Sequence, residues 1–276
     1  MILEFTKMQG TGNDFVIFDT FSQSISLNSK QIKRIANRRL GVGCDQILLL
    51  EPPKNDEADV YYRIFNSDGT EVMQCGNGAR CAAIYLNSKG LIKKNTIIAE
   101  TKNSKLILEI NNNHSVTVNM GIPEFDPVNI PLDVDQKLDT YSLSLGDEKI
   151  IFGAVSFGNP HAVIIVDDVE AAFVGPIGEA FQKQAIFPEG VNVGFVQILN
   201  QKTIKLRVYE RGVGETLACG SGACAAVVIA HEQGHLDKAV DVELRGGCLS
   251  LSWEGKGMPV YMSGSVSTVY EGEIEL

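Results

Sequence analysis

The chain has 276 residues, 44% hydrophobic and 21% charged, with a formal net charge of −10. That length suits one large domain or two smaller ones with a buried core each, and the composition is that of an ordinary globular protein. The charge argues against a nucleic-acid or anionic-membrane partner, and no apolar run approaches the roughly 18 residues that a membrane span takes.

The first residues, MILEFTKMQGTGND, lack a basic stretch followed by an apolar one, so no secretory signal is expected. Strand-like runs bounded by Gly, Asn and Asp follow at 15–18, 46–50, 59–65, 96–100, 106–110 and 115–118. Between the first two, Ser29 can cap a helix with Ile32, Ile35 and Ala36 on one face. A second helix should start at Cys75 and run through the Ala-rich stretch 78–86, apolar nearly all round and so the buried axis of a sheet. Prolines at 123, 127 and 131 mark a crossover. The pattern then repeats, with strands at 153–157, 162–166, 192–199, 204–209, 239–244 and 249–253. An amphipathic helix with Ile177, Phe181 and Ala185 and a buried one over 223–231, stopped by Gly234, complete the second half. Residues 266–276 fall beyond the second repeat and are expected to return as a strand to the first half.

The repetition extends to individual residues. Residues 63–84 read RIFNSDGTEVMQCGNGARCAAI and residues 207–228 read RVYERGVGETLACGSGACAAVV. Aligned without a gap, Arg63 falls on Arg207, Glu71 on Glu215, Cys75 on Cys219, Gly76 on Gly220, Gly78 on Gly222 and Ala79 on Ala223. Gly12-Asn13-Asp14 and Gly158-Asn159-Pro160-His161 each precede an apolar run, and Gln46-Ile47-Leu48 recurs as Gln197-Ile198-Leu199. A period this long indicates a duplicated domain, since solenoid repeats run about 20–50 residues. The expected fold is therefore α+β: two pseudo-symmetric halves, 1–121 (completed by 264–276) and 122–263. Each is a strongly curled, mostly antiparallel, barrel-like sheet around a central helix, with an active site in the cleft between them.

A Cys-Gly-x-Gly at a helix start leaves backbone N–H groups uncovered and aims them, with the positive end of the helix dipole, at an anion. No Gly-Lys-Ser/Thr follows, which rules out a Walker-type phosphate loop. Two mirrored copies, each with a thiol at the same offset, suit the carboxylate of an α-amino acid. Removing its α-proton pushes charge onto the carboxylate, which converging N–H groups stabilise, and one thiolate and one thiol serve as base and acid. Six cysteines stand at 44, 75, 81, 219, 224 and 248, without zinc-ligand spacing and without histidines clustered near them, so no metal is expected. Cys44, Cys81, Cys224 and Cys248 read as buried small hydrophobes.

The motifs GTGNDFVIFD, GCDQ, NSDG with CGNGARC, GNPH and YERGVGETLACGSGACA resemble the diaminopimelate epimerase family from Met8 to about Tyr270. The resemblance implies an isomerase without cofactor or metal that interconverts LL- and meso-diaminopimelate, in lysine and peptidoglycan precursor synthesis. It also implies a cytoplasmic homodimer whose partner in the reaction is a small molecule. On the same basis Cys75 and Cys219 are the acid–base thiols, assisted by His161 and Glu210. Gly76, Asn77, Gly220 and Ser221 would hold the α-carboxylate. Asn13, Gln46, Asn66, Asn159, Asn192, Glu210 and Arg211 would hold the rest of the substrate, and Tyr270 would lie in a dimer interface. Read without the family, Arg211 would be a surface ion pair, His161 a satisfied loop histidine, and Asn13 and Asn159 turn residues. A racemase of the proline racemase kind is the nearest rival, but it carries histidine where Asn77 stands and lacks the Glu210-Arg211 pair. A thiol–disulfide protein is disfavoured by the absence of Cys-x-x-Cys.

Overall fold

The computed structural model describes residues 2–72, 75–102 and 105–276. In chain order the elements are β1 (Ile2–Gly10), β2 (Asn13–Asp19), α1 (Ser29–Ala36), β3 (Gln46–Glu51), β4 (Val60–Asn66), β5 (Glu71–Val72), α2 (Gly76–Ser88), β6 (Thr96–Glu100), β7 (Lys105–Ile110) and β8 (Val116–Asn119). They continue as β9 (Tyr141–Leu145), β10 (Glu148–Ser156), β11 (Pro160–Ile165), α3 (Val174–Gln182), β12 (Asn192–Asn200), β13 (Thr203–Glu210), β14 (Gly214–Thr216), α4 (Gly220–Glu232), β15 (Ala239–Leu244), β16 (Gly247–Trp253), β17 (Val260–Gly264) and β18 (Ser267–Glu275). Two compact units result, Met1–Asn119 with Ser263–Leu276, and Met120–Met262.

In the first unit β18, β1 and β2 pair antiparallel, β2 runs parallel to β3, and β3 and β4 are antiparallel. The row continues with β4 parallel to β6 and with β6, β7 and β8 antiparallel. The second unit repeats the scheme: β9, β10 and β11 antiparallel, β11 parallel to β12, β12 antiparallel to β13, β13 parallel to β15, and β15 antiparallel to β16. Each parallel pair falls where a helix intervenes in the chain, because a parallel partner requires a crossover. These crossovers carry α1 and α2 in one unit, α3 and α4 in the other.

Helices α2 and α4 are the axes. Asn77 to Ala83 and Gly220 to Ala230 are buried but for Ser221, and α2 packs on β1, β2, β3, β7 and β8 while α4 packs on β10, β11, β12, β13 and β16. Alanine and glycine at these contacts let strands approach closely: a Cβ on Gly153 would sit 2.4 Å from Ile229 Cγ2. Curling around a helix gives each unit a barrel-like form, and among the described residues the strand pairings do not close the sheet.

Four local expectations are corrected. Asn28, not Ser29, caps α1: its Oδ1 accepts from Gln31 N at 3.1 Å and Gln31 Oε1 accepts from Asn28 N at 3.0 Å, a reciprocal box that places Ser29 inside the first turn. Ala185 lies beyond the end of α3 and is exposed, while Val174, Gly178 and Phe181 form the buried face. Cys248 is exposed on β16, where its outward position follows the alternation of that strand. The Gln46/Gln197 match fails on register: Gln46 faces Phe15 across the parallel pair and Asn192 faces His161, so Asn192 is the counterpart of Gln46.

Candidate active site

Both cysteines are the residue at which the chain turns from strand to helix. Cys75 (φ −147°, ψ 114°) and Cys219 (φ −129°, ψ 113°) are the N-caps of α2 and α4, and neither side chain caps its own helix. Each carbonyl instead accepts the first helical bond, from Ala79 N and from Ala223 N, both at 2.9 Å. Gly76-Asn77-Gly78 and Gly220-Ser221-Gly222 are thus first-turn positions, whose N–H groups have no partner within their helix. No acidic side chain occupies either first turn to compete for an anion.

The preceding hairpins are built alike. Arg63 grips Glu71 through Nε and Nη2 at 2.8 and 2.9 Å, and Arg207 grips Glu215 through the same atoms at 2.7 and 3.0 Å. These forks join β4 to β5 and β13 to β14, the strands that deliver the cysteines. The alignment of the halves paired these residues without revealing that they form bidentate ion pairs. Glycine at 78 is required by what lies beneath: a Cβ there would be 2.4 Å from Tyr62 Oη, the group that donates to the Cys75 carbonyl at 3.2 Å.

Strand register aligns the remaining polar residues in equivalent pairs. Asn13 precedes Phe15 as Asn159 precedes His161; Phe15 faces Gln46 as His161 faces Asn192. Asn66 opposes Gln46, and Glu210 holds the matching position in the gapless alignment of the halves. The same scaffold therefore carries neutral amides in the first unit and His161, Glu210 and Arg211 in the second.

In the first unit Asn13 Nδ2 lies 3.7 Å from Cys75 Sγ, Gln46 Nε2 donates to Asn66 Oδ1 at 2.9 Å, and Asn77 Oδ1 accepts from Arg80. In the second unit Cys219 Sγ is 3.6 Å from Ser221 Oγ, which accepts from Asn159 Nδ2 at 3.3 Å; Asn159 Oδ1 is 3.2 Å from His161 Nε2. Asn192 accepts from Arg211 N at 3.0 Å and donates to the Pro160 carbonyl at 3.0 Å. Thr216, not anticipated from the sequence, donates to Glu210 Oε1 at 2.5 Å. Arg211 is exposed and its Nη1 donates to the Glu189 carbonyl. Tyr270 stands apart on β18, half-exposed, with its ring edge-on to Phe5 at 5.9 Å.

Burial sets the protonation states. The Cys219 thiol is pushed well above its usual value, first by desolvation and then by the Glu210 carboxylate. Neutralising Glu210 as Glu210→Gln is therefore expected to make Cys219 at least about threefold more reactive toward iodoacetamide at pH 8.5. Mass-spectrometric alkylation rates would show this, and an unchanged rate would contradict it. His161 is buried, and desolvation followed by the charge of Arg211 lowers it from 6.5 to about 3. The folded value is depressed, so the stability it contributes is complete above pH 6.5 and is lost as pH falls toward 3. Thermal melts between pH 7 and 4 should fall more steeply for the native chain than for His161→Gln.

Among the described residues no group of three or more His, Cys, Asp or Glu is arranged to hold a metal ion, and no helix is long and apolar enough to cross a membrane. No disulfide joins the cysteines.

The family model described as diaminopimelate epimerase matches residues 5–125 and 153–269. A hydroxyproline epimerase from Agrobacterium vitis, solved with trans-4-hydroxy-L-proline bound, superposes with a TM-score of 0.71 at 15% identity, covering 99% of this chain and 92% of that one. A phenazine biosynthesis protein of the PhzF family from Bacillus anthracis gives 0.71 at 16% identity over 100% of both chains. A protein from Pseudomonas aeruginosa described as a predicted epimerase gives 0.68 at 17% identity over 99% of both chains. Identities this low speak to the shared fold alone.

Proposed function

The chain belongs to the diaminopimelate epimerase family, and on that premise we propose that it interconverts LL- and meso-2,6-diaminopimelate by a two-base reaction of Cys75 and Cys219. The enzyme is an isomerase of the epimerase kind. The observation that carries the substrate reading is that the two thiol N-caps have different partners, the Asn13 amide at Cys75 and the Glu210 carboxylate and Ser221 at Cys219.

In this reading the α-carboxylate is held by the first-turn N–H groups of Gly76, Asn77, Gly220 and Ser221. One sulfur, as thiolate, removes the α-proton; the other, as thiol, delivers a proton to the opposite face. The charge that builds on the carboxylate meets donors already in place, so little reorganisation is needed. Asn13, Gln46, Asn66, Asn159 and Asn192 supply neutral donors and acceptors for amine and carboxylate, and Arg211 offers a planar fork to the distal carboxylate. Glu210 disfavours ionisation of Cys219, which suits that thiol to the acid role in the resting enzyme. His161, kept neutral, orients Asn159 beside Ser221. A cytoplasmic homodimer with Tyr270 at its interface, serving lysine and peptidoglycan precursor synthesis, completes the proposal.

The test is conversion of LL-diaminopimelate to the meso form by the purified chain without added cofactor, followed by chiral chromatography, with L-proline and trans-4-hydroxy-L-proline as controls. Turnover of diaminopimelate alone is expected. Racemisation of either proline substrate without diaminopimelate turnover would refute the substrate assignment.

A further inference from the structure

Arg80, in the second turn of α2, is 0% exposed despite its charge. Its Nη2 donates to Thr11 Oγ1 at 2.8 Å and to Asn77 Oδ1 at 2.9 Å, and both acceptors are themselves buried. A guanidinium is costly to take out of water, so its presence here calls for a use.

The acceptor on the far side is unusual. Gly10 pairs with Asn13 across β1 and β2, and the two residues between them, Thr11 and Gly12, have φ +55° and +79°. A two-residue hairpin with both centres left-handed favours Asn-Gly, and a β-branched residue pays a steric penalty there. Such a residue persists where its surroundings hold it in place, and the contact to Arg80 is that hold. The start of the turn lies beside the same two residues: a Cβ on Gly10 would be in ordinary van der Waals contact, 3.5 Å, with Arg80 Nη2 and with the Asn77 carbonyl. The residue leaving the turn is Asn13, whose amide reaches Cys75 Sγ. The second unit has no counterpart, for Cys224 aligns with Arg80 and Phe157 with Thr11, and Phe157 has no left-handed φ.

We propose that Arg80 is a positioning residue for Cys75: it pins the strained Thr11-Gly12 turn to the first turn of α2, which keeps the Asn13 amide on the sulfur and the Asn77 side chain locked. The proposal rests on Cys75 being a reacting thiol. Loss of the clamp lets the turn relax and withdraws the amide donor that stabilises the thiolate, so Cys75 becomes slower as a nucleophile and as a base, while Cys219 is untouched.

The experiment compares the native chain with Arg80→Met and Thr11→Val, measuring iodoacetamide modification of Cys75 and Cys219 by mass spectrometry, melting temperature, and kcat and KM on LL-diaminopimelate. Both variants should slow Cys75 alkylation at least about threefold with Cys219 unchanged, and lower kcat about tenfold or more with KM within about threefold. Adding Thr11→Gly to Arg80→Met should recover much of the Cys75 rate, because glycine adopts the left-handed conformation without a clamp; a packing role alone would show no such rescue. Native-like Cys75 alkylation and kcat in a folded Arg80→Met or Thr11→Val protein would overturn the proposal, as would failure of the glycine rescue. Should Arg80→Met not fold, Thr11→Val decides. Slowed Cys75 alkylation in a chain inactive on diaminopimelate would uphold the clamp and refute the substrate reading separately.

Discussion

Serine at either Cys75 or Cys219 is expected to lower kcat for diaminopimelate by about 10²–10⁴ while KM changes by no more than a few-fold. A hydroxyl occupies nearly the same place as a thiol but ionises far less readily, so it can neither hold the resting negative charge nor exchange a proton at a useful rate. In the proposed reaction, binding would instead use the first-turn backbone donors of α2 and α4, which serine leaves in place. The two variants should fail in both reaction directions, since each turnover uses one group to take a proton and the other to give one. Steady-state kinetics in the LL-to-meso and meso-to-LL directions would check this. A serine variant retaining native turnover in either direction would exclude that residue from the chemistry.

Gly78→Ala should be the most damaging single methyl near the site. The added carbon would meet Tyr62 Oη at 2.4 Å, Leu48 Cδ2 at 3.1 Å and Phe15 Cε1 at 3.2 Å, all on buried side chains. Tyr62 is the donor to the Cys75 carbonyl, so relief by moving the tyrosine also releases the helix start. Overpacking of this kind costs about 1–3 kcal/mol, which for a chain of this length lowers the melting temperature by roughly 2–4 °C per kcal/mol. Activity should fall further than stability does. Gly222→Ala is milder by geometry, with contacts of 3.1 Å to Val208 Cγ2 and 3.2 and 3.3 Å to Cys219 Cβ and Sγ. It should shift the Cys219 rotamer more than it unfolds the chain. Calorimetry beside kinetics on the two variants separates these effects; equal melting temperatures for Gly78→Ala and the native chain would contradict the packing argument.

Much of this architecture could be read from residue pattern. The buried helices announced themselves because Ala-rich stretches that are apolar all round must be enclosed, and the cysteines stand where the glycines said a strand would turn into a helix. The family followed from motifs dense enough to leave few alternatives. What escaped is what register and burial decide. The strand β1 mixes exposed Ile2 and Glu4 with buried Leu3, Phe5, Thr6, Lys7 and Met8, so no clean alternation marked it. Gln197 looked like the repeat of Gln46 because the letters match, whereas hydrogen-bond register gives that place to Asn192. Arg80 and Thr11 carried no signal of their own: Arg80 lies inside the stretch read as a buried axis, but neither its bond to Thr11 nor the left-handed turn there shows in the letters. The bond from Arg211 Nη1 to the Glu189 backbone carbonyl likewise could not be read from residue type. Cys248 was placed inward by residue type, and its strand's alternation turned it outward.

The most direct test of a two-sulfur epimerisation is the fate of hydrogen in D2O during the first few per cent of conversion of LL-diaminopimelate. If opposed thiols share the work, the new stereocentre of meso product acquires deuterium from solvent while the unreacted LL pool stays unlabelled. Retention of the original hydrogen in the product, or early appearance of label in recovered substrate, would point to a single base and contradict the account.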